Sequence, residues 1–364
     1  MKIEKLTVTD FRNIGEAEIS FTDGVNLLYG NNAQGKTNII EAVYYFARGK
    51  SFRTARDADM IRRGADFFDI RLSFTAEKRQ KDLRFCIGKN AKIREKNGVK
   101  EESLSEMIGV FRAVLFCPEH LSLVKGAPEE RRNFLNIAIS QCYPAYIGLY
   151  RNYQKILENR NFLLKMAQKG FPLDLSELEI WSLKMAAAAA DIYRYRRNYI
   201  EKLAKYAAFF LSELSDEKEK ISLSYEADVK EGEDPFTVYK AKLTENVKNE
   251  VGAGYSLYGV HRDDLLMTLN GDPTRVYASQ GQGRSVVLAL KQAEGEVSRE
   301  LNGEYPVFLY DDVLSELDPA RQAKVLHESG NRQIIITSCR EQDVREQVNQ
   351  RIYTEGGTYV SSYR

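Results

Sequence analysis

The sequence predicts an α/β fold: a phosphate-loop sheet with flanking helices and an antiparallel β-subdomain, interrupted by an inserted α-helical arm. Three observations predict it. Gly30-Asn31-Asn32-Ala33-Gln34-Gly35-Lys36-Thr37 fits G-x-x-x-x-G-K-[ST] between a buried-strand run and a helical run. Two further buried-strand runs, Pro306-Val307-Phe308-Leu309-Tyr310 and Gln333-Ile334-Ile335-Ile336-Thr337-Ser338, end in polar residues near the far end of the chain. Between these halves, residues 129–168 and 175–214 carry long helical patterns.

Taken in order, residues 3–21 alternate apolar and polar and read as two antiparallel strands around the turn Phe11-Arg12-Asn13-Ile14-Gly15. Arg12 and Asn13 on that turn suit phosphate oxygens, and a solvated turn fits the local pattern equally well. Val25-Asn26-Leu27-Leu28-Tyr29 is the strand that feeds the loop, and Ile39, Ile40, Val43, Phe46 and Ala47 set the helix behind it. The glycines free the backbone to turn N–H groups inward, and the helix start adds partial positive charge, so a nucleotide polyphosphate is favoured there. Lys36 would reach the β and γ phosphates, and Thr37 would offer its hydroxyl to Mg²⁺.

Residues 49–64 place Lys50, Arg53, Arg56, Arg62 and Arg63 around the aromatic Phe52. This suits a nucleic-acid backbone, and a solvated loop is the alternative. Strand-like runs follow at 68–87 and 110–116, bridged by a Lys-rich turn region over 89–100. The two long helical patterns join at a turn containing Gly170 and Pro172, which suggests an antiparallel hairpin. Within the second, the Tyr193 to Tyr199 stretch interleaves cations and tyrosines, and reads as a solvated face with a few core tyrosines. Residues 216–234 are charged and strand-poor, 235–251 read as one further helix, and strand signals return at 255–264 and 265–269. Ser279 is a good N-cap for the helix with Val286, Val287, Leu290, Ala293 and Val297 on one side. The predicted division is 1–127 with 255–364 as a discontinuous head, and 128–254 as the arm.

Composition narrows the function. The 364 residues are 43% hydrophobic, ample for real cores. With 53 basic and 52 acidic residues there is no overall positive field, so nucleic acid must meet a local patch. Cys86, Cys117, Cys142 and Cys339 form no C-x-x-C pair and the three histidines are dispersed, which argues against a zinc site. The start lacks a signal peptide's apolar core and no run approaches a spanning helix, so the expected location is the cytoplasm. A phosphate loop needs a second group for its metal, commonly an acid ending a neighbouring hydrophobic strand, and Asp311 is the one candidate. Asp312, next along, could accept a proton from attacking water, or serve only as a helix cap.

In order and spacing, Phe11-Arg12-Asn13, residues 30–37, Ser279-Gln280-Gly281-Gln282, Asp311-Asp312 and Ser315-Glu316-Leu317-Asp318 resemble the ABC-type ATPases of the SMC and Rad50 kind. Residues 49–56 and 61–64, Phe116-Cys117-Pro118-Glu119 with Leu123-Val124-Lys125-Gly126, Arg131-Arg132 and His261-Arg262-Asp263-Asp264 are similar to the RecF family of bacterial recombination mediators. The resemblance implies an ABC-ATPase head that uses ATP and Mg²⁺ and forms an ATP-dependent homodimer. Residues 30–38, Arg12, Asn13 and Ser338 would surround the nucleotide. Ser279, Gly281 and Gln282 would close over the nucleotide of a second copy, and residues 315–318 would cross the same interface.

The resemblance further implies binding to duplex DNA with a single-strand gap, with Arg131 and Arg132 joining the basic loop as candidates. It implies partnership with RecR, and with RecO indirectly, to load recombinase, in support of replication restart and the SOS response, at the nucleoid. Val260 stands where the family usually has proline, Gly283 where it usually has glutamine, and Asp312 where most ABC ATPases have glutamate. The shorter Asp312 implies weak, DNA-stimulated hydrolysis used as a switch. A transporter's nucleotide-binding subunit or a compact SMC-like chromosome protein are the alternatives; Ser338 in place of a switch histidine and the short insertion argue against them. No N-K-x-D box supports a small GTPase.

Overall fold

A computed structural model describes the chain except residues 90, 314–316, 318, 328–331, 345–347 and 364. The strands, in chain order, are β1 Lys2–Phe11, β2 Ile14–Ser20, β3 Val25–Tyr29, β4 Phe67–Ala76, β5 Arg79–Gly88, β6 Lys92–Lys96, β7 Val99–Lys100, β8 Ala113–Phe116, β9 Ile221–Glu226, β10 Asp264–Leu269, β11 Asp272–Pro273, β12 Val307–Tyr310, β13 Ile334–Ser338, β14 Gln350–Glu355 and β15 Thr358–Tyr363. The helices are α1 Lys36–Arg48, α2 Ser122–Lys125, α3 Pro128–Cys142, α4 Pro144–Gln168, α5 Leu175–Leu214, α6 Pro235–Glu245, α7 Val247–Ala253, α8 Thr274–Tyr277, α9 Gln280–Asn302 and α10 Pro319–His327. None is long and apolar enough to cross a membrane, among the described residues.

The central sheet has the order β15-β14-β3-β13-β12-β8. Neighbours from β14 to β8 run parallel, and β15 closes one edge antiparallel. The unbroken apolar runs of β12 and β13 follow from burial on both faces, which removes any reason to alternate. The second sheet, β2-β1-β4-β5-β6-β7, is antiparallel, and β4 alternates buried and half-buried or exposed positions as a one-faced strand does. The Lys-rich stretch expected as a turn contains β6 and β7, because Ile93 pairs with Cys86 and carries the meander on.

The helical segment departs from expectation at three places. Residues 129–168 form two helices, since Pro144 forces Tyr143 out of the helical region, at φ −130°, and starts α4 anew. Residues 235–251 break at Asn246 between α6 and α7. The charged stretch 216–234 holds β9, whose Ile221, Leu223 and Tyr225 pair with Leu269, Met267 and Leu265 of β10. Strand β10 begins only at Asp264; residues 255–263, read as strand from their aromatics, take turns instead. Helix α5 matches its expected bounds, capped by Asp174, whose Oδ1 accepts from the N–H groups of Ser176 and Glu177.

Two buried cations organise this segment. Arg160 of α4 is 0% exposed and donates to Ser182 Oγ (3.0 Å), Ser256 Oγ (2.7 Å), the Leu243 carbonyl (3.1 Å) and Glu250 Oε2 (2.6 Å). One guanidinium thereby ties α4 to α5, α6, α7 and the return to β10. Arg196, expected on a solvated face, is buried and donates to the Val260 carbonyl (2.6 Å) and Asn136 Oδ1 (3.0 Å). Tyr193 and Tyr199 are core residues as expected, while Arg194 and Arg197 face solvent.

His261 sits in the same region, its Nδ1 accepting from the Tyr153 hydroxyl at 2.6 Å and its Nε2 bonded to the Ser256 carbonyl at 3.2 Å. That arrangement suits the neutral ring, and burial pushes its pKa down from 6.5 to about 4. The unfolded chain therefore binds a proton before the folded one does, and stability is lost as pH falls from 6.5 towards 4. Asp263, which burial pushes up to about 7, works in the opposite direction. It does so in wild type and in His261→Asn alike and cancels in their difference. The stability advantage of wild type over His261→Asn, read by thermal melts, should shrink with falling pH in this window by up to ~1.4 kcal/mol per unit. A constant advantage would mean that the ring is already charged in the folded protein.

Candidate nucleotide site at the carboxyl ends of three strands

The C-terminal ends of β3, β13 and β12 lie side by side, with Ser338 in register with Tyr29 and Tyr310 with Ile336. Gly30 to Gly35 leave the end of β3 and turn into α1. Gly30 and Gly35 hold φ values of +148° and +108°, which disfavour a side chain. A Cβ at Gly30 would come within 2.3 Å of the Thr354 carbonyl, and one at Gly35 within 2.7 Å of the Tyr359 hydroxyl. Both obstacles belong to the β14–β15 hairpin, which holds the loop from one side. Gln34 Oε1 accepts from Gly356 N at 2.6 Å, and Tyr359 donates to the Gly35 carbonyl at 3.3 Å.

On the other side Asn13 Nδ2 donates to the Ala33 carbonyl at 3.3 Å, and Asn38 Nδ2 donates to Asn13 Oδ1 at 2.6 Å. Asn32 Oδ1 meets Cys339 Sγ at 2.9 Å. Among the described residues, no protein acceptor takes the N–H groups of residues 32–35. Lys36 is buried and folds back to donate to the carbonyls of Gly30 (2.6 Å) and Asn31 (2.9 Å).

Thr37 and Asp311, 274 positions apart, meet directly: Thr37 Oγ1 donates to Asp311 Oδ1 at 3.0 Å. Thr337 completes the cluster. Its hydroxyl donates to the same Asp311 oxygen at 2.8 Å and accepts from Asp312 N at 2.9 Å. Burial raises the pKa of the Asp311 carboxyl, against the lowering pull of the Thr337 and Thr37 hydroxyls. Among the described residues it has no cationic partner, so a buried carboxylate beside a hydroxyl presents hard oxygen donors without a charge to balance them. That donor set fits Mg²⁺. Asp312 is exposed and holds a left-handed φ of +52°, a conformation that Asp tolerates better than most residues.

Arg12 sits at φ +58° on the β1–β2 turn and is held by Glu41 of α1, at 2.9 and 2.6 Å from Nε and Nη2. Glu41 is 0% exposed, also accepts from Ser51 Oγ, and lies 3.5 Å from Arg53 Nη1. Arg53 donates to Asn38 Oδ1 at 2.9 Å as well, so the phosphate-loop helix and the basic loop share one polar network. Ser338 is buried at the end of β13, but its hydroxyl donates to Asp343 Oδ2 at 2.7 Å, within the turn that follows.

Ser279 caps α9 in a reciprocal box with Gln282; Gly281 is exposed and Gln282 half-buried. No hydrogen bond joins Ser279, Gly281 or Gln282 to residues 30–38 of the same chain, among the described residues. The Ser315 to Asp318 stretch lies outside the described residues except for Leu317, which is buried.

Of the cations expected to meet nucleic acid, Lys50, Arg53, Arg56, Arg62 and Arg63 are exposed. Arg62 lies 3.4 Å from Asp10, and Arg56 is 3.9 Å from Asp59. Arg131 requires correction. It is 5% exposed and makes a forked pair with Asp264, 2.7 Å from both Nε and Nη2, so its charge is already neutralised inside the fold. Arg132 is half-buried and donates to the Asp263 carbonyl at 2.9 Å. Glu41, Thr337 and the β14–β15 hairpin were not read from the sequence.

The model of the RecF/RecN/SMC N terminal domain matches residues 2–358. The DNA replication and repair protein RecF of Oceanobacillus iheyensis is 37% identical over 332 residues, 90% of each chain. That of Halalkalibacterium halodurans is 39% identical over 336 residues, 90% of this chain and 89% of the relative. Among solved structures, the recombination mediator protein RecF-ATP of the RecFOR pathway superposes with a TM-score of 0.92 at 33% identity, covering 99% of this chain and 97% of that one. An Smc head domain with an extended coiled coil from Pyrococcus furiosus matches at a TM-score of 0.60 and 19% identity, covering 100% and 97%, a likeness of fold alone.

Proposed function

The chain belongs to the RecF/RecN/SMC N-terminal domain family and, within it, to the RecF proteins, and from that membership we propose how its geometry serves recombinational repair. It is a DNA replication and repair protein, a recombination mediator with an ABC-ATPase head that binds ATP; the transporter and chromosome-organising alternatives are not favoured. The observation that carries the mechanistic reading is the meeting of Thr37, Asp311 and Thr337 beside Lys36 at the ends of three strands.

In this reading the unbonded N–H groups of residues 32–35 take the ATP phosphates, together with Gly30, Asn31, Asn38 and the Arg12–Asn13 turn. Lys36 leaves the Gly30 and Asn31 carbonyls for the β and γ phosphates, a net exchange of dipoles for charges. Thr37 and Asp311 hold Mg²⁺, which neutralises phosphate charge when bound. Thr337 aims Asp311, and Asp312 accepts the proton of the attacking water. Its short side chain and exposed position give a slow, DNA-stimulated ATPase that acts as a timer.

Ser279, Gly281 and Gln282 of a second copy close over the γ phosphate, a capped helix start that gains favourable charge only while that phosphate is present. Ser338 senses closure through the turn it shares with Asp343. Residues 1–127 and 255–364 act as the head and 128–254 as the arm. Lys50, Arg53, Arg56, Arg62, Arg63 and Arg132 follow the backbone of gapped DNA at the nucleoid, with RecR as direct partner and RecO acting through it.

The test is light scattering with a gapped-DNA binding titration. Wild type should dimerise only with ATP, and its DNA affinity should rise with it. Ser279→Arg should stay monomeric with ATP and lose that rise, while still binding a fluorescent ATP analogue. ATP-dependent dimers of Ser279→Arg would refute closure through this helix start.

A further inference from the structure

A groove of about 600 Å³ lies away from the nucleotide loop, between the C-terminal end of α1, the short helical turn Leu104–Glu106, and the facing sides of α3 and α4. Its floor is aliphatic: Ile108 is buried, and Leu104, Ile137 and Ile147 are half-buried. Its rim carries Arg48, Lys50, Arg151 and Lys155. Among the described residues, no acidic residue lines it. In a chain of 53 basic and 52 acidic residues, four cations around one groove without a carboxylate is a local imbalance. Among the described residues none of the four makes an ion pair; Arg48 donates only to the Ser51 carbonyl.

One buried amide of the lining also lacks an acceptor. Asn136 lines the groove and is 8% exposed, its Oδ1 accepting from the Tyr146 hydroxyl at 2.7 Å and from Arg196 Nη2 at 3.0 Å. Those two donors fix the amide orientation, so Nδ2 is the group left over, and it has no acceptor among the described residues. A buried donor without a partner costs free energy.

We propose that this groove docks a carboxylate-rich peptide segment of a protein partner, anchored by an aliphatic or aromatic side chain on the Ile108, Ile137 and Ile147 floor. Cations and amide donors supply the charge complement, and the apolar floor supplies the anchor that peptide grooves use. Nucleic acid fits less well. Duplex DNA offers phosphates and no apolar side chain to the floor, and single strands need open aromatic faces for stacking. Tyr150, the one aromatic in the lining among the described residues, already stacks on Tyr146 at an interplanar angle of 10°. The inference shares Lys50 with the DNA reading and otherwise rests on residues that neither the ATP nor the DNA reading uses.

The test uses the full chain and three fluorescent probes followed by anisotropy: a peptide alternating Asp with Leu and Phe, its counterpart with Lys for Asp, and an oligothymidylate. The acidic peptide should bind and the basic one should not. Arg151→Glu with Lys155→Glu, and separately Ile147→Ser, should each weaken acidic-peptide binding by at least about tenfold. Binding of a fluorescent ATP analogue by both variants serves as the folding control. Absence of acidic-peptide binding, or equal binding by the variants, would overturn the proposal. So would an Ile147→Ser loss for the oligothymidylate as large as that for the peptide, which would assign the groove to nucleic acid.

Discussion

Asp311→Asn protein is expected to release phosphate from ATP roughly 10²–10³-fold more slowly than wild type, in saturating Mg²⁺. The substitution keeps an oxygen to accept from Thr37 and Thr337 and removes the charge, so the local packing stays and the electrostatic contribution goes. The same variant should melt at a higher temperature than wild type without nucleotide. The Asp311 carboxyl is buried without a cation among the described residues, and its pKa is raised, chiefly by burial. Stability from its protonated form is therefore present below the ordinary carboxylate pKa and lost as pH rises through the raised one. An uncharged amide escapes that loss. Slower turnover with higher stability is the pattern of a site that gives up stability for activity. Turnover near the wild-type rate would show that another acid holds the metal.

Glu250→Ala is expected to destabilise the fold by about 3–5 kcal/mol, the cost of leaving a buried charge without its counter-ion. Both partners of the Arg160–Glu250 pair are 0% exposed in their side chains and 2.6 Å apart. The loss reaches beyond the pair, since Glu250 Oε1 also accepts from Leu257 N at 2.8 Å. Urea unfolding should move to a lower midpoint with an unchanged slope. Replacing both charges together, Arg160→Met with Glu250→Leu, should recover part of the loss: the desolvation cost leaves with the attraction, while the Leu243 carbonyl and Leu257 N–H stay unpaired. A Glu250→Ala loss below about 1 kcal/mol would place the pair in solvent contact.

The readings that held were those in which neighbouring residues determine one another. The 30–37 loop, the buried strands β3, β12 and β13, the Ser279 cap and the 40 residues of α5 each follow from local spacing. Of those that failed, the splits of 129–168 at Pro144 and of 235–251 at Asn246 are local, and the others involve partners distant in the chain. Arg131 reads as a free cation until Asp264, 133 positions later, accepts from Nε and Nη2 on one edge of its guanidinium. Strand β9 is short and lies in a charged stretch, and β10, nearly forty residues further on, supplies its hydrogen bonds.

By itself the sequence determined that a phosphate loop, an acidic strand end and a capped helix start exist in one chain, in an order similar to RecF. Only the tertiary structure decided that Thr37, Asp311 and Thr337 share one oxygen, that Glu41 holds Arg12, and that the terminal hairpin grips Gly30 and Gly35. The physical reason is range. Backbone turns and helix caps are set by residues within a few positions, whereas a hydroxyl or carboxylate carries no periodic signal and acquires its partner only when the sheet assembles.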